Sequence, residues 1–316
     1  MVTTAIQERA KQKKKEQSYW SSLSLLFVSG IMLIIGIIWR VVDQFVLQLG
    51  STWMNIMPSK FFPFLIIIGF FWKYRRSEIN SVLGLSKNQL RVQLSVGLLM
   101  GLLISFMIDV GGIVIYALFL DPTYPLELHI LNTELLGYMF LFFLTNSFLE
   151  ETLFRGLLQN AFKTRFSPNR AIFLSALIFG FWHAGWPVLN GGPIREVMTQ
   201  VFTIVFFTII LGLLFGIYYE RFSSGNSLVG IIVTHTILNF VGECFKIGPE
   251  PVMQGPDVVM YSPGLMAVSF VLFFGTFLTL FFVCWRYKIE HASAFWLRLT
   301  NRIRNIVHSD SGTDAP

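Results

Sequence analysis

Charge is what this chain has least of. Of its 316 residues only 13% are Asp, Glu, Lys or Arg, while 54% are hydrophobic. A soluble domain of this length carries about twice that charged fraction. The composition therefore excludes an ordinary soluble protein and implies an integral membrane one. Cysteine is scarce too. Cys244 and Cys284 are the only two, both in or beside apolar segments, which excludes a disulfide framework or a cysteine zinc site and leaves packing as their role. The chain has no internal repeat, no His-Glu-x-x-His, and no low-complexity tract beyond an N-terminal lysine cluster. Its net charge is +6, but the basic residues form no stripe of the kind nucleic acid requires.

What is present is a series of apolar runs. Runs of about 20 residues, the length that spans a bilayer as helix, fall at 23–49, 55–72, 92–120, 136–162, 170–189, 199–219, 226–246 and 263–285. They predict an all-α integral membrane fold with about eight transmembrane helices. The first run follows a lysine-rich stretch, as in a secretory leader. Its length and the lack of an Ala-x-Ala site predict a retained anchor. Arg40 and Asp43, three residues apart near its far end, are expected to pair or to reach the interface. Pro58, Lys60 and Pro63 interrupt the second run, and Asp109 in the middle of the third is read as structural.

Loop charge orients the bundle. With the N-terminus inside, 19 Lys and Arg fall on the cytoplasmic side and three on the other, a strong positive-inside bias. Both termini are then cytoplasmic. The expected organisation is a disordered basic tail at 1–20, helices 1–3 at 21–130, and a core of helices 4–7 at 131–247. An outer loop with helix 8 follows at 248–285, then a cytoplasmic amphipathic helix and tail at 286–316. In that last segment Ala292, Trp296, Leu299, Ile303 and Ile306 recur at helical spacing, with Arg298, Arg302 and Arg304 nearby. Such a helix lies on the cytoplasmic leaflet or packs, solvated, on the loops; 309–316 reads as disordered.

The residues that demand chemistry are polar groups at membrane depth. Glu150-Glu151-x-x-x-Arg155-Gly156 interrupts the fourth run, where each ionised group costs about 2.5–3.5 kcal/mol on insertion scales. Four residues apart, Glu151 and Arg155 are placed to neutralise each other. Glu150 faces elsewhere and needs other partners. Asn146 lies one turn before it; Phe179-x-x-x-His183 lies in the fifth run and His235-x-x-x-Asn239 in the seventh. Counted at 1.5 Å per residue from the cytoplasmic ends, Glu150, His183, His235 and Asn239 all lie roughly 14–20 Å deep. Four side chains from three helices can meet there.

These three motifs, in order and in separate runs, resemble the CPBP (CAAX protease and bacteriocin-processing, Abi) family of multi-pass intramembrane proteases. The resemblance covers about a third of the chain, and no motif position departs from it. It implies that 131–247 is a catalytic core that hydrolyses a peptide bond. Glu150 would be the general base on a water that His183 helps to hold. His235 and Asn239 would stabilise the oxyanion, while Glu151, Arg155, Asn146 and Phe179 support the site. The implied substrate is a peptide or protein, its lipidation left open, in contact with the lipid bilayer and not with nucleic acid. The expected location is a prokaryotic cell membrane. No cofactor or metal is expected. Zinc on the two histidines and the glutamate is the alternative, because the family is often labelled metalloprotease. Two other classes compete: a proton-coupled carrier using the same Glu/His cluster, and a non-enzymatic immunity or scaffold protein.

Overall fold

The computed structural model describes residues 19–47, 56–131, 133–249 and 262–310, without the side chains of 44, 56–59, 109, 186, 189–190 and 306–310. The basic tail before residue 19, most of the outer loop at 250–261, and the Asp109 side chain therefore lie outside the described residues. Among those described, eight helices occupy the eight apolar runs. They are α1 (Leu25–Leu47), α2 (Ile56–Tyr74), α3 (Leu90–Phe119), α4 (Leu136–Glu151, continued to residue 163), α5 (Pro168–His183), α6 (Ile194–Phe222), α7 (Val229–Cys244) and α8 (Pro263–Arg286). A further long helix, α9 (Ile289–Asp310), follows α8 after two residues, so helix extends two residues into the stretch read as disordered.

By length and composition α1, α3, α6 and α8 can each cross a membrane. The outer surface agrees: Phe119, Phe202 and Val271 are each more than 70% exposed. Large apolar side chains displayed this freely mark a surface that faces lipid rather than water. The protein is a multi-pass membrane protein.

Three differences from the sequence expectation have local causes. Pro63 does not break α2, which runs unbroken from Ile56 to Tyr74. α5 ends at His183, six residues before the apolar run does. The Ala184 N–H turns back to the Phe181 carbonyl, and Gly185–Asn190 forms a separate short helix containing Pro187. The fold is also not wholly helical. β1 (Leu128–Ile130) pairs antiparallel with β2 (Phe245–Ile247), Leu128 opposite Ile247, and this ribbon ties the segment before α4 to the end of α7.

The interior divides into two large apolar clusters. Ile104 of α3, Phe215 and Tyr218 of α6, Ile231 of α7 and Phe277 of α8 belong to one. Val28 of α1, Phe71 of α2, Leu149 and Phe154 of α4 and Phe179 of α5 belong to the other. The two cysteines are buried and free; Cys244 packs its sulfur 3.8 Å from that of Met139.

Helix α7 reaches the centre because α3 lets it. A β-carbon on Gly97 would overlap the Gly230 carbonyl, so the two backbones touch there, and Thr234 Oγ1 donates to the Gly97 carbonyl at 3.0 Å. A second close approach fixes α4. Just after Glu151 this helix widens into π-helical turns over Thr152–Gln159, a feature frequent at functional sites. Gly156 in those turns lies against the Leu83 backbone, where a β-carbon would stand 2.8 Å from the carbonyl oxygen. Asn160 locks the contact by donating to the Val82 and Gly156 carbonyls.

Candidate active site

The polar groups of α4, α5 and α7 converge between the two apolar clusters. Glu151 and Arg155, the expected pair, are both fully buried and joined Nη1 to Oε1 at 3.0 Å. The guanidinium carbon lies 4.0 Å from the ring centre of Phe179 and 5.3 Å from that of Phe215. One ring comes from each cluster, so the cation is held between two aromatic faces. This accounts for Phe179 in the fifth-run motif: it carries no chemistry, but it packs at once on Arg155, His183 and His235.

His235 does not face Glu150 with its nearest nitrogen. Its Nδ1 lies 2.8 Å from Glu151 Oε1, the oxygen that Arg155 also contacts. An ionised carboxylate only accepts, so Nδ1 carries the proton. His235 Nε2 then points to Glu150 Oε2, 3.7 Å away. His183 is arranged in the same way. Its Nδ1 donates to the Phe179 carbonyl at 2.8 Å, one turn back along α5, and its Nε2 lies 3.9 Å from the same Glu150 Oε2. The F-x-x-x-H spacing thus sets the tautomer of the histidine, since a carbonyl can only accept.

Glu150 itself is 4% exposed. Its Oε1 accepts from the indole Nε1 of Trp182 at 3.3 Å. Its Oε2 is buried and makes no hydrogen bond within the described residues. Two imidazole nitrogens at 3.7 and 3.9 Å are too far to bond it directly and close enough to share a molecule with it. A buried carboxylate oxygen without a partner is costly, and a polar gap of this kind suits a water.

Asn146 is buried one turn before Glu150, and Asn239 is half-buried one turn after His235. Neither makes a side-chain hydrogen bond among the described residues. Two contributors escaped the sequence reading. Trp182 binds Glu150, and Arg40 of α1 donates Nη1 to the Trp182 carbonyl at 2.9 Å while lying 5.1 Å from the centre of its ring. The adjacency of Trp182 to His183 was visible; the reach of Arg40 across 142 positions was not.

Zinc can be tested against this geometry. Ligand atoms around a tetrahedral zinc lie about 3.3 Å apart, given bonds of about 2.0 Å. The two Nε2 contacts to Oε2, at 3.7 and 3.9 Å, are each longer than that. No group of three or more His, Cys, Asp or Glu among the described residues is placed to hold a metal ion.

Residues 132–241 match the family described as type II CAAX prenyl endopeptidase Rce1-like. No curated protein and no solved structure matches the chain. The match runs from the residues before α4 to the last turn of α7 and takes in Glu150, Glu151, Arg155, His183, His235 and Asn239. With Glu150, Glu151, Arg155, His183 and His235 brought together between the same helices, residues 132–241 are similar to the CAAX protease family.

Proposed function

We propose that the protein is an intramembrane endopeptidase in which Glu150 activates a water against a peptide bond. The observation that carries this reading is the orphaned, buried Oε2 of Glu150, faced by the Nε2 atoms of His183 and His235. A water in that gap donates one proton toward Glu150 and the other toward His183 Nε2, leaving a lone pair for attack. As the new C–O bond forms, the water proton passes to Glu150 Oε2. When the C–N bond breaks, Glu150 returns that proton to the leaving amine.

The oxyanion is stabilised by Asn239 and His235. Neutral His235 has only a lone pair at Nε2, because Nδ1 is committed to Glu151. It therefore donates to an oxyanion only when protonated. Glu151 already offsets Arg155, so ionised Glu150 balances that imidazolium before attack, and the oxyanion balances it once Glu150 holds the water proton. No metal takes part in this scheme. The chain crosses the membrane eight times with both termini in the cytoplasm, and the substrate is a peptide or protein presented at the bilayer.

The test uses the purified protein in liposomes with peptides ending in Cys-aliphatic-aliphatic-X, offered with and without a prenyl group on the cysteine. The wild type releases the C-terminal fragment, and Glu150→Gln, isosteric but unable to take a proton, does not. Cleavage at the wild-type rate by Glu150→Gln ends the general-base assignment. Loss of all cleavage on dialysis against a strong chelator, restored by zinc, ends the metal-free one.

A further inference from the structure

Helix α9 carries a face that the bundle leaves uncovered. It follows α8 after only Tyr287 and Lys288, so its start is fixed at the end of a membrane-length helix. Ile289 is buried, and Ala292 packs with it against the cluster formed by α3, α6, α7 and α8. Past that first turn the packing stops. Phe295, Trp296, Leu299 and Ile303 are 65%, 44%, 40% and 53% exposed.

These four are not scattered. At about 100° per residue they fall within a sector of about 100° on the helix surface. Arg302 borders that sector, Arg298 lies just beyond it, and Arg304 stands on the other flank. Leu297, also exposed, lies outside the sector. The only acidic residues of α9 are Glu290 and Asp310, at its two ends. An apolar stripe with basic flanks, following directly on a membrane-length helix, has the chemistry of an interfacial helix. A tryptophan within the stripe suits the headgroup level.

We propose that α9 lies in the headgroup region of the leaflet reached by the end of α8. Phe295, Trp296, Leu299 and Ile303 turn toward the acyl chains, and Arg298, Arg302 and Arg304 engage anionic headgroups. The charge complementarity commits the face to lipid rather than to a second copy of the chain, whose matching face would carry the same arginines. Docking then depends on lipid charge, and it holds the cytoplasmic end of α8 at the surface.

The experiment places an environment-sensitive NBD label at Ile303→Cys in the full chain; Cys244 and Cys284 are buried, and the unsubstituted protein serves as the labelling control. The protein is reconstituted one copy per nanodisc, in phosphatidylcholine alone or with phosphatidylglycerol added. The expected result is blue-shifted emission, shielded from an aqueous quencher, in the anionic discs and less so in the neutral ones. Replacing Arg298, Arg302 and Arg304 together by Gln lowers the docked-to-undocked ratio in anionic discs by about two orders of magnitude. A label open to the quencher in anionic discs overturns the proposal. So does a label shielded equally in both lipids and indifferent to the arginines, which would place the stripe against protein. Shielding that appears only with two copies per disc overturns it in favour of self-association.

Discussion

His235 donates a hydrogen bond from Nδ1 to Glu151 Oε1 at 2.8 Å and turns its Nε2 toward Glu150, 3.7 Å away. The two adjacent carboxylates of α4 therefore have separate tasks. Glu151 orients an imidazole and neutralises Arg155, and Glu150 is left with one oxygen unengaged. Adjacent residues on a helix point about 100° apart, which is why one faces the Arg155 side and the other faces α5.

Removing the charge of Glu151 should therefore destabilise more than it rearranges. Glu151→Gln leaves the buried Arg155 cation without its counter-ion, a loss of about 3–5 kcal/mol for a broken buried pair. The melting temperature of the purified protein should fall sharply. Replacing both partners with apolar residues of similar volume, Glu151→Met with Arg155→Leu, should recover much of that stability. Cleavage should remain absent in the double variant, because His235 then has nothing to fix its ring. Restored stability with restored cleavage would show that Glu151 has no part in orienting His235.

Much of this arrangement was legible from the chain because it is local. Runs of apolar residues mark helices by composition alone, and i to i+4 spacing put Glu151 beside Arg155 and His235 beside Asn239 before any fold was known. The reading at 100° per residue survived the π-helical turns after Glu151 because Arg155 still reaches back to Oε1. What sequence could not carry was the rotation of one helix about another. Depth placed His183 and His235 level with Glu150, yet nothing in the spacing said that His235 would give its nearer nitrogen to Glu151. Spacing paired Arg40 with its neighbour Asp43 or with the interface, and gave no hint of a further contact. Only the packing of α1 against α4 and α5 brings it to the Trp182 carbonyl. The end of α5 at His183 was also hidden, since the apolar run continues past it.

Trp182 should prove a positioning residue for the base. Its indole N–H binds Glu150 Oε1 and so directs Oε2 to the gap between the imidazoles. Trp182→Phe keeps a ring against Arg40 and Phe154 but removes the donor. A hydrogen bond to a charged group contributes about 1.5–3 kcal/mol, so kcat should fall by about tenfold to a hundredfold with KM little changed. Steady-state cleavage kinetics read this directly. A change confined to KM would mean that Trp182 contacts substrate instead.

Gly156 and Asn160 give a contrast, because they hold the α4 turns without touching the reacting groups. Gly156→Ala drives a methyl into the Leu83 carbonyl, an overpacking strain of about 1–3 kcal/mol. Asn160→Ala strands the Val82 and Gly156 carbonyls and the Tyr219 hydroxyl, at about 1–3 kcal/mol. Both variants should lower the melting temperature. Activity per folded molecule, measured well below the transition, should stay near that of the wild type. A large fall in kcat at full folding would place the π-helical turns in the chemistry itself.

Asn239 should behave in the opposite way. It is half-buried and makes no side-chain hydrogen bond among the described residues, so truncating it breaks nothing that holds the fold. It lies one turn beyond His235 on α7, and in the proposed reaction its amide N–H donates to the oxyanion. Removing such a donor costs about 2.7–4 kcal/mol of transition-state stabilisation, a factor of about 10² to 10³ in kcat. Asn239→Ala should therefore melt with the wild type and bind substrate with similar KM, yet turn over at least a hundredfold more slowly. Asn239→Asp keeps the shape but places an acceptor where the oxyanion forms, so it should be slower still. If the aspartate variant matched or exceeded the alanine variant, Asn239 would be a packing residue and the oxyanion would have to be held by His235 alone.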